Sequence, residues 1–219
     1  MRVKWLGHAC FLLTSNGGTR IMIDPYKVQG GLKYGEIHES ADVVLISHEH
    51  GDHNNPSAVQ GKPQVIKGPG AKEAKGVKFK GVAAYHDEAK GTKRGNDTMF
   101  TFEVDGLHIC HLGDLGHELG DADIKEIGRV DVLFVPIGGF YTLEPDVATR
   151  VTNKLAPKVI IPMHFKTPKV DTGTFGAIVG PEDFLKGKSH VERRGSSEID
   201  FQAGELPATT QIVVLTPAL

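Results

Sequence analysis

Ser47-His48-Glu49-His50-Gly51-Asp52-His53 follows directly on Val43-Val44-Leu45-Ile46, a short apolar run that reads as a buried strand. Three imidazoles and a carboxylate packed this closely destabilise a chain, because each is polar and they compete for one small volume. A metal ion compensates for that crowding. In a chain leaving a strand in extended conformation, residues two apart point the same way, so His48 and His50 reach one ion together while Glu49 points elsewhere. Gly51 then lets the backbone turn. Asp52 and His53 are thereby suited to a second ion, roughly 3.5–4 Å away in two-metal hydrolytic sites. A polar surface loop that is merely rich in His would not also sit at the carboxyl end of a strand and be matched by isolated ligand-type residues downstream.

Upstream, residues 3–6, 11–14 and 20–23 read as strands, with Asn16-Gly17-Gly18 as a hairpin turn. His8 and Asp24 each fall just past a strand end. Residues 26–40 are Gly-rich, contain Tyr and lack a period, as expected of a loop over the mouth of a site. Downstream, Pro56 opens a short helical turn, and residues 64–66, 77–79 and 82–85 read as strands, the last ending at His86. Residues 87–96 are polar and Gly-punctuated, as a mobile loop would be.

The second half repeats this order. Residues 99–104 and 107–110 form a hairpin around Asp105-Gly106 and deliver His111-Leu112-Gly113-Asp114, with His111 expected to pack in its strand. A helix is expected over 118–127, a buried strand over 132–135, and a helix over 145–155 with Val147, Ala148, Val151 and Leu155 at helical spacing. The strand 159–161 presents His164, with Phe165 and Lys166 next in line to contact a substrate. The Gly-rich loop 171–180, a short helix at 181–185 and a strand at 211–215 carry no assigned chemistry.

At 219 residues the chain is read as one domain, 1–219. A net charge of −2 and a pI near 6.6 argue against a dedicated nucleic-acid coat or membrane-surface protein. Between Lys62 and Arg94, however, nine basic residues face three acidic ones. Most of those lysines read as a solvated strand face, whereas Lys90, Lys93 and Arg94 lie past His86 where they would attract an anion. The amino terminus lacks the apolar stretch of a signal peptide and no run approaches membrane-spanning length, so a soluble cytoplasmic protein is expected. Cys10 and Cys110 sit in apolar runs as small core residues.

His48-x-His50-x-Asp52-His53 resembles the signature of the metallo-β-lactamase superfamily. Gly7-His8-Ala9-Cys10, Ile23-Asp24-Pro25, His86, Gly113-Asp114 and Pro162-Met163-His164 follow in the expected order, so the resemblance spans nearly the whole chain. The first motif is highly specific; the others persuade by their succession. The set is most similar to the branch of small metal-dependent hydrolases, ascorbate-6-phosphate lactonases and N-acylphosphatidylethanolamine phospholipases D. The resemblance implies an α/β fold, a four-layer αββα sandwich of mixed sheets. It implies a binuclear site in which His48, His50 and His86 hold one ion, Asp52, His53 and His164 the other, and Asp114 bridges. In that branch the Gly-His pair lies beside the site and an aspartate such as Asp24 supports a metal-binding imidazole.

Nitrogen-rich ligation with carboxylates suits two Zn²⁺ ions, with Mn²⁺, Fe²⁺ or Ni²⁺ as alternatives. A water shared by two such ions loses its proton near neutral pH and becomes the nucleophile. Asp52, His8 and His117 are the candidate catalytic residues; Lys166, Lys93 and Arg94 are the candidate substrate contacts. Redox di-iron relatives place a carboxylate where His50 stands, and true zinc β-lactamases lack the bridging Asp114, so oxygen reduction and dedicated antibiotic hydrolysis are both disfavoured. Phosphodiester hydrolysis, on nucleotides or nucleic acid as substrate only, is favoured over hydrolysis of a lactone or carboxylic ester of a small molecule, phosphorylated or not. A metal-binding protein without turnover is the third reading. The small-molecule or phosphodiester substrate is the only partner expected, and oligomeric state is left open.

Overall fold

The structure, a computed structural model, describes residues 1–219. In chain order the strands are β1 (Arg2–Gly7), β2 (Cys10–Thr14), β3 (Arg20–Ile23), β4 (Val43–Ile46), β5 (Gln64–Lys67), β6 (Gly70–Ala74), β7 (Val77–Tyr85), β8 (Asn96–Val104), β9 (Leu107–His111), β10 (Val132–Pro136), β11 (Val159–Met163), β12 (Val191–Arg193), β13 (Glu198–Asp200) and β14 (Gln211–Val214). The helices are α1 (Asp121–Ile127), α2 (Pro145–Leu155) and α3 (Glu182–Leu185). One sheet runs β13-β1-β2-β3-β4-β5 and the other β12-β14-β11-β10-β9-β8-β7-β6. Both are mixed: β3, β4 and β5 are mutually parallel, as are β9, β10, β11 and β14, while β1–β3 and β6–β9 are antiparallel meanders.

Strict alternation along the first sheet sets its two faces. Val3, Trp5, Phe11, Leu13, Ile21, Ile23, Val43 and Leu45 enter the core between the sheets. Cys10, Leu12, Met22, Val44 and Ile46 point outward, yet they too are buried, under Tyr26, Leu32, Tyr34 and Ile37. The loop expected over residues 26–40 is thus largely the outer cover of this sheet. On the second sheet α1 lies against β7 and α2 against β10, so the sandwich has helices outside one sheet, and loops with a short 3₁₀ turn at Pro56–Ala58 outside the other.

Three short edge strands escape a reading by pattern. β6 (GAKEA) lacks branched residues, and β12 and β13 span three residues each. β7 is continuous across Gly81, where the pattern suggests two strands. A Cβ at Gly81 would meet the Gly68 carbonyl oxygen at 2.4 Å, so this glycine admits a neighbouring backbone rather than marking a turn. Helix α1 starts at Asp121 instead of 118 because Glu118 is drawn away to Arg150 and Lys154 of α2. No helix is long and apolar enough to cross a membrane.

Strand directions place β1, β3, β4, β7, β9 and β11 with their carboxyl ends at one edge of the sandwich. His8, Asp24, His48, His86, Asp114 and His164 all follow those ends. His8, Asp24 and His164 adopt left-handed backbone, with φ of 53°, 48° and 50°. His and Asp tolerate that region better than most residues. The turn it makes aims each side chain back across the strand ends.

Candidate metal centre

The loop after β4 is anchored from below by Asp24. Its carboxylate accepts hydrogen bonds from the Ser47 N–H at 2.8 Å, the Ser47 hydroxyl at 2.6 Å and His53 Nδ1 at 2.9 Å. Because the Ser47 hydroxyl donates to Asp24, its oxygen accepts from His48 Nδ1, 2.9 Å away; Asp97 Oδ1 stands 3.4 Å from the same nitrogen. Both imidazoles therefore keep a proton on Nδ1, which leaves Nε2 as the nitrogen an ion would take. Burial would raise the Asp24 pKa, but the hydrogen bond and charge of His53 prevail and hold the carboxyl below its ordinary range.

The Nε2 atoms of four imidazoles converge on one buried carboxylate. Asp114 Oδ2 lies 3.1 Å from His86 Nε2, 3.2 Å from His53 Nε2, 3.3 Å from His164 Nε2 and 3.9 Å from His48 Nε2. Around it the potential ligand atoms fall into overlapping groups: His48, His50 and His86; His8, Asp52, His53 and His164; and His48, His53 and Asp114. Nε2 of His48, His53 and His164 and Oδ1 of Asp114 are buried without any hydrogen-bond partner. So many buried, unpaired acceptors in one place are costly in a folded chain. Divalent cations would satisfy them, and the donor set, mostly imidazole with carboxylate, is the one Zn²⁺ and its neighbours prefer.

The electrostatics agree. Burial raises the Asp114 pKa on its own, yet the imidazoles of His164, His53 and His86 hold it well below the carboxylate range. Burial likewise lowers His53, but Asp114 and Asp52 lift it well above the ordinary imidazole value. The site attracts positive charge before any ion is added.

The structure brings all seven proposed ligands together and adds His8, whose Nε2 is 3.2 Å from Asp52 Oδ2 and whose ring centroid is 4.0 Å from that of His164. Other expectations need correction. His117 faces away from the centre: its Nε2 accepts the Tyr85 N–H at 3.3 Å, its Nδ1 donates to the Glu118 carbonyl at 3.0 Å, and it does not reach the ligand cluster. Lys166 is exposed and absent from the cavity wall; its N–H pairs with the Val179 carbonyl at 2.8 Å. Phe165 is buried against Trp5, ring centroids 5.3 Å apart, as part of the core. The loop 87–96 is tightly organised: the Asp87 carboxylate accepts the N–H groups of Ala89, Gly91, Lys93 and Arg94 at 2.8–3.0 Å.

That loop carries Lys93 and Arg94 into the wall of a cavity of about 360 Å³ above the cluster. His50, Asp52, His86, Asp114 and His164 form its metal-facing side; Tyr141, Phe175, Gln29 and Gly30 complete it. Lys93 is paired with Glu88. Arg94 has no carboxylate partner; its guanidinium donates to the Phe140 carbonyl at 3.0 Å and lies 5.4 Å from the Tyr141 ring centroid. Reading the sequence misses Asp97, Tyr141 and Phe175. Asp97 is the second residue of β8, where its type reads as that of a turn, and only the fold shows that Gly113 comes so close that a Cβ there would sit 2.4 Å from its carboxylate. Tyr141 and Phe175 lie in segments without period.

A sequence model of the family described as beta-lactamase superfamily domain matches residues 2–164. Among similar chains, a metal-dependent hydrolase of Pelotomaculum thermopropionicum is 32% identical over 232 residues, covering 91% of this chain and 95% of that one. One from Thermococcus onnurineus is 30% identical over 217 residues, covering 85% and 91%. Among solved structures, a metallo-β-lactamase superfamily protein of Thermotoga maritima, named for Zn-dependent hydrolysis, shares 38% identity with a TM-score of 0.79 over 98% of this chain and 97% of that one.

Proposed function

The chain belongs to the metallo-β-lactamase superfamily, and from that premise we propose that it is a metal-dependent hydrolase holding two ions, with phosphodiesters as its substrates. His48, His50 and His86 would hold one ion, Asp52, His53 and His164 the other, and Asp114, within reach of imidazoles from both sets, would stand between them. Zn²⁺ suits this set best. When bound, such ions polarise the scissile group and lower the pKa of water.

The chain's own residues supply the rest. Asp24 and Ser47 fix the tautomers of His53 and His48. Asp52 Oδ2 is steadied by His8, leaving Oδ1 without a protein donor and open to a hydrogen bond from an attacking water, whose proton it can accept. The observation that carries the phosphodiester reading is Arg94, the cation in the cavity wall that no carboxylate neutralises. A guanidinium there binds a phosphoryl oxygen and holds the ester over the metal ligands.

The test is hydrolysis of bis-p-nitrophenyl phosphate beside a simple lactone, by metal-reconstituted protein and its His48→Ala variant. Phosphodiester turnover lost in the variant supports the proposal. Turnover of the lactone alone transfers the function to carboxylic esters, and metal binding without turnover of either removes the phosphodiester reading.

A further inference from the structure

Above the metal ligands, Phe175 and Tyr141 make one side of the cavity aromatic, and Phe140 continues that row beyond the cavity wall. Phe175 meets His8 edge-on at 5.3 Å between ring centroids and lies 5.9 Å from His164. Tyr141 is 5.5 Å from Phe175, and Phe140 4.6 Å from Tyr141. The Tyr141 hydroxyl donates to the Phe175 carbonyl at 2.6 Å, which locks the two loops into one wall. Gly176 permits that packing: with φ +135°, it takes a conformation few side chains adopt, and a Cβ there would lie 2.7 Å from the Tyr141 ring.

Phe140 is the unusual member. It is 48% exposed and has φ +60°, a left-handed conformation that a bulky residue adopts at a cost. Its backbone is held from both sides, its N–H by Glu144 Oε1 at 3.0 Å and its carbonyl by Arg94 at 3.0 Å. A phenyl group that merely filled space would not need strain to be displayed to solvent. Arg94 reaches this display point while its guanidinium lies beside Tyr141, so an unneutralised cation and an aromatic face stand next to each other at the edge of the metal centre.

We propose that Phe175, Tyr141 and Phe140 form a stacking surface for a planar ring on the arm of the substrate next to its anionic group, and that Arg94 takes the anion. The substrate class is then a small aryl- or nucleoside-type phosphate ester. This rests on the phosphodiester reading for the reaction but not for the binding. Faces of aromatic side chains accept planar rings with little regard to substituents, and one such contact is worth about tenfold or more in affinity.

Two measurements test it. The first is calorimetric binding of phenylphosphonate and methylphosphonate to the metal-loaded protein. Wild type is expected to favour the phenyl compound by about tenfold; Phe140→Gly and Tyr141→Leu should cut that preference to about threefold or less, and Arg94→Gln should weaken both compounds alike. Phe140→Gly also removes the backbone strain, so its melting temperature should hold or rise, whereas a Phe140 that served packing would lower it. The second measurement compares turnover of bis-p-nitrophenyl phosphate with methyl p-nitrophenyl phosphate, which share a leaving group; the kcat/KM ratio in favour of the aryl ester should fall in Phe140→Gly and Tyr141→Leu, and a ratio unchanged in both counts against the stacking surface. Equal binding of the two phosphonates, or a phenyl preference untouched by both aromatic variants, overturns the stacking surface even if phosphodiesters are hydrolysed. Phenyl preference with no phosphodiester turnover upholds it and overturns the reaction assigned above.

Discussion

Replacing Asp24 by Asn tests whether the metal centre is organised from beneath. Asn is isosteric and tolerates φ near +48°, so the backbone need not move. One side-chain oxygen can still accept the Ser47 N–H at 2.8 Å, but an NH₂ now occupies the position of Oδ2, which accepts both the Ser47 hydroxyl at 2.6 Å and His53 Nδ1 at 2.9 Å. Three donors cannot share that space. The cheapest repair moves the His53 proton from Nδ1 to Nε2, where it points at Asp114 Oδ2, 3.2 Å away. The metal-free protein then keeps its hydrogen bonds, while an ion on Nε2 forces the proton back to Nδ1, where its acceptor is gone. Losing a partner of this kind costs 10- to 100-fold in metal affinity, or about 1.4–2.7 kcal/mol. Ser47→Ala offers the converse, since Ser47 links Asp24 to His48 Nδ1. Competition against a chromophoric chelator should show Asp24→Asn weakening mainly the ion of His53, and Ser47→Ala mainly the ion of His48. Melting of the metal-free proteins checks that both still fold. Unchanged affinity in Asp24→Asn, or the same order of loss in both variants, would refute the tautomer argument.

Chelation should destabilise the protein: at metal concentrations 100 times Kd the bound ion adds about 2.7 kcal/mol per site, so stripping one lowers the melting temperature by roughly 5–11 °C in a chain of this size, read by calorimetry with and without EDTA. Asp87→Asn leaves too few acceptors for the N–H groups of Lys93 and Arg94, so KM for an anionic substrate should rise more than kcat falls. Burial opposes the ionised Asp87, but four N–H groups outweigh it and depress its pKa. Its support of the loop is therefore full above the unfolded value of about 3.9 and is lost as pH falls through the lower folded value, which hydrogen exchange at residues 89–94 would report. His117→Ala and Lys166→Ala should each leave kcat/KM within about twofold of wild type, because neither side chain reaches the cavity.

The parts of the site legible in the sequence are those whose chemistry is local. His48, His50, Asp52 and His53 declare themselves because six residues leave a strand together, and alternation within β1 to β4 fixes which side chains enter the core. His86, Asp114 and His164 are single residues at strand ends; their order along the chain, not their surroundings, marks them. What cannot be read is the side of the site built by close approach. Asp97 matters because Gly113 lets its carboxylate come near, and Phe175 matters because the loop carrying it zips to the loop of Gly31, with the Asp171 N–H donating to the Gly31 carbonyl at 2.8 Å. The second of these contacts joins residues more than a hundred positions apart, and the first joins two strand ends that no local pattern pairs. Lys166 and His117 mislead for the same reason, since proximity in sequence to a ligand says nothing about the direction a side chain takes.

The two sheets contribute different halves of the centre. His8, Asp24 and residues 47–53 come from the ends of the first sheet, and His86, Asp97, Asp114 and His164 from the second. The halves are tied at the site itself: the His8 carbonyl accepts the His164 N–H at 3.2 Å and the Trp5 indole N–H at 3.0 Å, joining the two left-handed turns to a core tryptophan. A shift of one sheet against the other would therefore break that tie and separate His53 from His164 together. The crowded imidazoles oppose this closure, whereas the core between the sheets favours it, as would ions held by the ligand cluster. Metal affinity in this chain would thus report how well the two sheets are aligned, and core substitutions between them, such as at Trp5, should weaken ion binding without removing a ligand side chain, as chelator competition would read.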